Sequence, residues 1–181
     1  LVGTFPAFDV QTYSYPGGYG IYNNVRRIGV TIQGEVNHAV ANDTVLVNQG
    51  TYIEQVAIPK TLHLLGEDGA LVTFIKAPAT IPVASDPDSN IVKITGAGVS
   101  VEMNGFTVTG PGPSGCGSIA RGIFVRDDAY ANIHNNRVLD VRDNPFSGCQ
   151  NGIGIQVGSS SIGTSGTADI TNNILINYQK G

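Results

Sequence analysis

The segments "IHNNRVLDV" (residues 133–141) and "ITNNILINY" (residues 170–178) share one pattern, apolar–x–Asn–Asn–x–apolar, and lie 37 positions apart. Asn tolerates a left-handed backbone, so it suits a sharp corner between two strands. Its side-chain amide can also bond to the same amide on a neighbouring coil. The repeat therefore predicts parallel coils in which Asn136 and Asn173 stack at matching corners. Asn104, in "VEMNGFTV" (residues 101–108), is predicted to lie at a third such corner.

Longer segments around these pairs follow the same plan. Residues 90–110, 121–141 and 151–178 each contain a short alternating strand, a polar turn, a second strand that ends near Asn, and a third apolar strand. Such strands are too short and too often interrupted by glycine to alternate with crossover helices. We therefore predict an all-β solenoid with three parallel strands per coil and about five coils, which forms one domain over residues 43–181.

One segment has helical periodicity. In "TIQGEVNHAVAND" (residues 31–43), Ile32, Val36 and Val40 recur on one face, Thr31 is a suitable N-cap, and Asn42 suits a left-handed C-terminal position. The pattern predicts a helix over residues 31–42. An amphipathic helix here would cover the open core of the first coil.

The first 30 residues contain a tyrosine-rich stretch, "TYSYPGGYGIY" (residues 12–22). Planar rings in a Gly- and Pro-rich segment suit stacking on sugar rings. The same segment also suits an extended wrap over the N-terminal end of the solenoid. We interpret residues 1–30 as this wrap.

The segment "TIQGEVNHAVANDTVLVNQGTYIEQVAIPKTLHLLGEDG" (residues 31–69) resembles the first coils of the pectin-lyase-like superfamily of right-handed parallel β-helices. It is most similar there to the pectin-esterase-like and periplasmic members. The Asn-Asn segments resemble the generic repeat of that superfamily, and the likeness covers about residues 28–181. The resemblance implies a right-handed, three-stranded parallel β-helix and a role connected with carbohydrate.

The catalytic patterns of the superfamily are not found in the sequence. The esterase, hydrolase and epimerase signatures are missing, and only an isolated Asp-Asp pair occurs, at Asp127 and Asp128. No catalytic residue is therefore assigned, and enzymatic activity is left open. If the protein is an enzyme, the resemblance implies a polysaccharide lyase or a carbohydrate esterase.

Charged residues are concentrated in residues 121–143 of a chain in which they make up only 13%. Carboxylates suit Ca²⁺, for which Asp127 and Asp128 are the candidate ligands, and Arg can bind a uronate carboxylate through two hydrogen bonds. The alternative interpretation is a band of surface salt bridges, each worth little. The candidate residues for binding an acidic glycan are Arg126, Asp127, Asp128, Arg137 and Asp140.

The two cysteines each precede an equivalent strand, Cys116 before "GIFV" and Cys149 before "GIGIQV". Strands that stack about 4.8 Å apart make a Cys116–Cys149 disulfide geometrically reasonable. It would close a loop of about 33 residues and add about 3–4 kcal/mol by chain entropy. We favour this bridge over two free thiols, and with it an extracellular, cell-surface or periplasmic location.

The composition of the chain limits the classes of partner that it is expected to bind. The net charge of −4 and the lack of a basic run argue against nucleic acid, and no apolar stretch approaches the ~18–20 residues that span a bilayer. We expect a polysaccharide or cell-surface glycan as partner. The sequence "ILINYQKG" (residues 174–181) contains no capping helix, so the last coil is expected to be open, either to further chain or to copies of the protein that stack end to end. Two functions are therefore expected. The first is the binding or processing of a glycan, which includes a Ca²⁺-dependent lyase, and the second is structural assembly.

Overall fold

The computed structural model describes residues 25–27, 31–81, 89–111 and 119–180. The predicted tyrosine-rich wrap lies outside the described residues, except for the short strand β1 (Val25–Arg27). Strands are numbered β1 to β15 along the chain, and they form three sheets in which every neighbouring pair is parallel. The fold is therefore mostly β, and it is compatible with a parallel β-helix.

The largest sheet has six strands. They lie in the order β1, β2 (Asp43–Val47), β5 (Leu62–Gly66), β8 (Ser100–Asn104), β11 (Ala129–His134) and β14 (Gly166–Thr171).

The other two sheets have five and four strands. The five-stranded sheet contains β3 (Gly50–Ile53), β6 (Thr73–Lys76), β9 (Thr107–Thr109), β12 (Arg137–Leu139) and β15 (Ile174–Ile176). The four-stranded sheet contains β4 (Val56–Ile58), β7 (Asn90–Thr95), β10 (Arg121–Arg126) and β13 (Ile153–Val157). From β2 onward, each strand joins the next sheet in a fixed rotation, so three consecutive strands make one coil.

The core lies between the three sheets. In the six-stranded sheet, Val45, Leu64, Met103 and Ile133 are paired in register on successive strands, and all four are fully buried. Side chains alternate between the two faces of a strand, so the intervening residues point outward. Each coil thus adds one apolar layer to the core and one polar layer to the surface.

The helix α1 (Ile32–His38) covers one end of this core with the buried side chains of Ile32 and Val36. Thr31 is the N-cap, since its side chain accepts a hydrogen bond from the Gly34 N–H. The helix ends four residues earlier than the predicted boundary at residue 42, because Ala39 is already extended. Lys60 Nζ donates to the Asn37 and Ala39 carbonyls, which caps this end from another strand connection.

The two asparagines of each pair have different roles. The first ones, Asn135 and Asn172, have positive φ values of 54° and 53° and turn the corner. The second ones stack, because Asn136 donates from its side-chain Nδ2 to Asn173 Oδ1 over 3.2 Å, and from its backbone N to the same oxygen over 2.9 Å. Asn136 Oδ1 in turn accepts from the backbone N–H of Phe106.

Asn104 does not lie at the level of these stacked amides. It pairs in register with His134, two residues before Asn136, and the residue that meets Asn136 on the preceding coil is Phe106. The predicted ladder of Asn104, Asn136 and Asn173 is thus corrected to Asn136 and Asn173. The shift arises because Gly105, with a φ of 84°, turns the corner that Asn135 turns one coil later.

Candidate functional site

The predicted charged residues occupy two different corners of the solenoid. Asp127 and Asp128 form the turn between β10 and β11, with positive φ values of 55° and 61°. Asp140 forms the turn that follows β12, with a φ of 54°. Strands β11 and β12 separate the two corners, so the structure does not bring the predicted group together as one site.

Asp127 is held by hydroxyl groups from the coils on both sides. Its Oδ2 accepts from Thr95 Oγ1 over 2.5 Å on the preceding coil, and its Oδ1 accepts from Thr164 Oγ1 over 2.9 Å on the following one. Arg126 Nε lies 2.9 Å from Oδ2. The Thr95 bond first, and then the bonds from Thr164 and Arg126, lower the pKa of Asp127. This carboxylate therefore links three successive coils.

The neighbouring carboxylates make contacts of the same kind. Asp128 Oδ1 accepts from Ser165 Oγ, and Asp140 Oδ1 accepts from Asn177 Nδ2, both on the following coil. Arg137 points outward from β12, in register with Thr107 and Ile174. Within the described ranges, no group of three or more His, Cys, Asp or Glu is placed to hold a metal ion. The Ca²⁺ ligands Asp127 and Asp128 and the binding role of the five residues stay predictions.

Cys149 lies in a loop that is fixed by buried polar groups. Asp143 in this loop accepts from Asn151 Nδ2 over 2.8 Å, and Gln179 Nε2 donates to the Cys149 carbonyl over 2.8 Å. Cys116 lies outside the described residues, so the Cys116–Cys149 disulfide stays a prediction.

A different cluster of titratable side chains lies on the outer face of the six-stranded sheet. Glu102, on β8, accepts hydrogen bonds from His63 Nδ1 on β5 over 2.7 Å and from His134 Nε2 on β11 over 3.0 Å. One carboxylate thus bridges imidazoles from the coil before and the coil after. The bond from His63, followed by that from His134, lowers the pKa of Glu102 even though burial opposes the shift.

Asn135 fixes the hydrogen-bonding role of His134. Its Nδ2 lies 2.9 Å from His134 Nδ1, and an amide NH₂ can only donate, so Nδ1 is the acceptor. His134 Nε2 then carries the proton that it donates to Glu102. His134 is held in this orientation on both sides of its ring.

Tyr130 and Asp169 continue the same face on β11 and β14. The Tyr130 hydroxyl donates to Asp169 Oδ2 over 2.6 Å. This bond holds the phenolic proton and so raises the pKa of Tyr130. Between the two carboxylates lies Asn132, since Glu102, Asn132 and Asp169 are paired in register on three adjacent strands.

We call this group the outer-face strip. It consists of His63, Glu102, Asn104, Tyr130, Asn132, His134 and Asp169. The buried inward residues Ala131 and Ile133 alternate with Tyr130, Asn132 and His134, which places the latter three on the outer face. The strip offers planar rings, amides and carboxylates on four adjacent strands.

Sequence reasoning missed the strip because its members are far apart in the chain. His63 and Glu102 are separated by 39 residues, and Glu102 and His134 by 32. The unequal spacings reflect loops of different length, so no single repeat period aligns the three residues. The sequence does indicate that His63, between Leu62 and Leu64, points outward. Its partners can be identified only from the register between the strands.

No protein-family model matches this chain, and no curated protein matches it either. In the described part of the chain, none of the helices has the length and apolar character that crossing a membrane requires.

Proposed function

We propose that the chain is a right-handed parallel β-helix of the pectin-lyase-like type, at the cell surface, in the periplasm or outside the cell. The three parallel sheets, the fixed rotation of strands among them and the Asn136–Asn173 stack support this fold. The likeness of residues 31–69 to the first coils of that superfamily supports the family. The proposed location rests on the predicted Cys116–Cys149 disulfide, which favours an oxidising compartment.

We infer that its function is to bind a polysaccharide on the outer-face strip. The observation that carries this inference is the alignment of hydrogen-bonding side chains in register on four adjacent strands, β5, β8, β11 and β14. A regular β surface repeats its side chains about every 4.8 Å across the strands. A regular polymer of sugars matches such a surface better than a small compact ligand does.

The residue types suit sugar hydroxyls. Carboxylates accept hydrogen bonds, and amides both donate and accept them, so Glu102, Asn132 and Asp169 can satisfy vicinal hydroxyl groups. The ring of Tyr130 offers an apolar face together with a polar tip. His63 and His134 hold the Glu102 carboxylate in one orientation before a ligand arrives, which limits the entropy lost on binding.

The test is binding of soluble glycan oligomers, measured by isothermal titration calorimetry, to the native chain and two variants. Asn132→Ala, in the centre of the strip, is expected to weaken binding at least about fivefold, in keeping with the loss of one or two hydrogen bonds. Thr51→Ala, an exposed residue of the five-stranded sheet, is the matched control and is expected to leave binding unchanged. Equal effects of the two substitutions would rule out the strip as the binding surface.

A second candidate function, assembly, is favoured by the coil formed by residues 153–180. Three side chains that point toward the core, one in each sheet, are partly open to solvent there: Val157 is 37% exposed, Ile170 45% and Leu175 39%. This coil presents about as many residues as one partner of a standard interface contributes, ~20–30. We propose that it binds the same coil of a second copy.

The opposite end determines the geometry of this assembly. Helix α1 covers the core there with the buried side chains of Ile32 and Val36, so among the described residues the apolar core is less open at that end than in the last coil. Two copies related by a twofold axis instead join tail to tail, with β14 antiparallel to β14 of the partner. The interface is then isologous and closes at a dimer.

Light scattering with size exclusion tests this assembly. The native chain is expected at twice 18.9 kDa. Ile170→Lys is expected to give the monomer, whereas Val40→Lys, at the α1 end, replaces a residue that is 57% exposed and is expected to leave the dimer intact. A native monomer at high concentration, or an open series of polymers, would exclude the tail-to-tail dimer.

A further inference from the structure

The outer-face strip contains acidic residues and neither Lys nor Arg. Its two formally charged residues are Glu102 and Asp169, and none of the residues in β5, β8, β11 and β14 is Lys or Arg. A ligand on this face therefore meets two carboxylates, two imidazoles and a phenol. An acidic sugar would place its own carboxylate or sulfate against these groups.

Two nearby cations are committed to other contacts. Lys60, just before β5, donates to the Ala39 carbonyl over 2.8 Å and the Asn37 carbonyl over 3.1 Å at the end of α1. Arg126, just before β11, lies against Asp127 over 2.9 Å. Lys76 and Arg137 are in the five-stranded sheet, on a different face of the molecule. These contacts hold the side chains of Lys60 and Arg126 against groups outside the strip.

The two carboxylates have a defined separation. Glu102, Asn132 and Asp169 are in register on three adjacent strands, so the backbone positions of the two acids are about 10 Å apart, two inter-strand spacings. That separation is comparable to the length of two linked sugar rings. Asp169 is exposed, and its two oxygens retain acceptor capacity beyond the bond from Tyr130.

We propose that the strip prefers glycans with free amino groups, and that it discriminates against uronate or sulfated glycans. This inference rests on the proposed glycan-binding function and names its ligand class. An ammonium group on the sugar forms charge-assisted hydrogen bonds with Asp169 and Glu102, whereas an acidic group is repelled by both. The preference reverses the acidic-glycan expectation that the sequence suggested from Arg126 and Arg137.

The experiment compares three oligomers of equal length in neutral buffer of low ionic strength by calorimetry. They are a glucosamine oligomer with free amines, its N-acetylated form and a galacturonate oligomer. The free-amine oligomer is expected to bind about two- to fivefold more tightly for each carboxylate that it engages, as for exposed ion pairs. Added salt is expected to reduce that advantage, because it screens exposed charges.

One substitution separates selectivity from binding. Asp169→Asn is expected to reduce the preference for the amine by about two- to fivefold, the share of one carboxylate, while the N-acetylated oligomer still binds. Asp68→Asn is the matched control, since Asp68 is another exposed aspartate that accepts one hydrogen bond, from the Gln49 N–H. The Asp68→Asn variant is expected to leave the affinity for all three oligomers unchanged.

The outcomes distinguish the two levels of the proposal. If the N-acetylated oligomer binds, and the galacturonate oligomer binds as tightly as the N-acetylated one or more tightly, the proposed selectivity is wrong and the glycan-binding function stands. If none of the three binds, both the selectivity and the proposed function on this surface are overturned.

Discussion

At the scale of single residues, position within the coil decides what an asparagine does. Asn136 is 1% exposed, and its amide bonds to backbone groups of the preceding coil, to the His134 carbonyl of its own coil and to Asn173. Asn104 has the same chemistry and also precedes a corner, but it lies on the outer face, opposite His134. The sequence pattern predicted the stack at Asn136 and Asn173 and could not distinguish Asn104, because the residue that turns the corner there is Gly105.

Replacing these two asparagines separates their roles. Asn136→Ala leaves buried partners such as the Phe106 N–H without an acceptor, so we expect a loss of about 2–4 kcal/mol in the free energy of unfolding. Asn104→Ala is the control and is expected to cost less than about 0.5 kcal/mol, as for a surface substitution. Urea unfolding measures both. Similar losses for the two variants would contradict the observed register.

The lowered pKa of Glu102 predicts how the stability of the fold depends on pH. Hydrogen bonds from His63 and His134 lower its folded-state pKa below the ordinary value of 4.5. The charged form therefore stabilises the fold fully above about pH 4.5, and this contribution is lost as the pH falls through the folded-state pKa.

The measurement is urea unfolding from neutral to acid pH for the native chain and for Glu102→Gln. The variant is expected to be less stable at neutral pH, and the difference between the two chains is expected to shrink in acid. A difference that stays constant with pH would show that the carboxylate charge is not what stabilises the fold here.

At the scale of elements, α1 is held at both ends by the coil that it covers. The Glu54 carboxylate accepts from the Ile32 and Gln33 N–H groups over 2.9 Å each, and Lys60 binds carbonyls at the other end. A negative group at the N-terminus and a positive group at the C-terminus both stabilise a helix. The apolar face and the N-cap were predictable from the sequence. The contacts of Glu54 and Lys60 were not predictable, because these two residues lie in connections between strands, about 20 residues further along the chain.

Removing the charge of Glu54 tests this arrangement. Glu54→Gln is expected to lower the free energy of unfolding by about 1–3 kcal/mol, since it weakens two charge-assisted bonds to backbone N–H groups. Glu35→Gln makes the same charge change in the first turn of α1 and is expected to cost about 0.3–1 kcal/mol, the effect on the helix dipole alone. Thermal and urea unfolding measure both variants. An equal loss of unfolding free energy in the two variants would mean that the two hydrogen bonds accepted by Glu54 add nothing to the stability of the fold.

At the scale of the whole molecule, the repeat in the sequence was sufficient to predict parallel coils, and the sites depended on register. The residues predicted to bind an acidic glycan lie at different corners, because β11 and β12 separate Asp127 from Asp140, and the carboxylates of both aspartates bind to adjacent coils. The outer-face strip, in contrast, arises from loops of unequal length, which place His63 in register with Glu102 and bring His134 within 3.0 Å of it from two residues further along β11. Periodicity predicts that coils stack, whereas the loop lengths determine which side chains meet.

The most direct test is solution NMR of the isotope-labelled chain, with assignment of the contacts between strands of the six-stranded sheet. In-register parallel stacking predicts nuclear Overhauser effects that join His63 to Glu102, Glu102 to Asn132, and Asn132 to Asp169. Close contacts between α-protons of facing strands, as in antiparallel pairs, or a shifted register that separates His63 from Glu102, would contradict the stacking and the strip that depends on it.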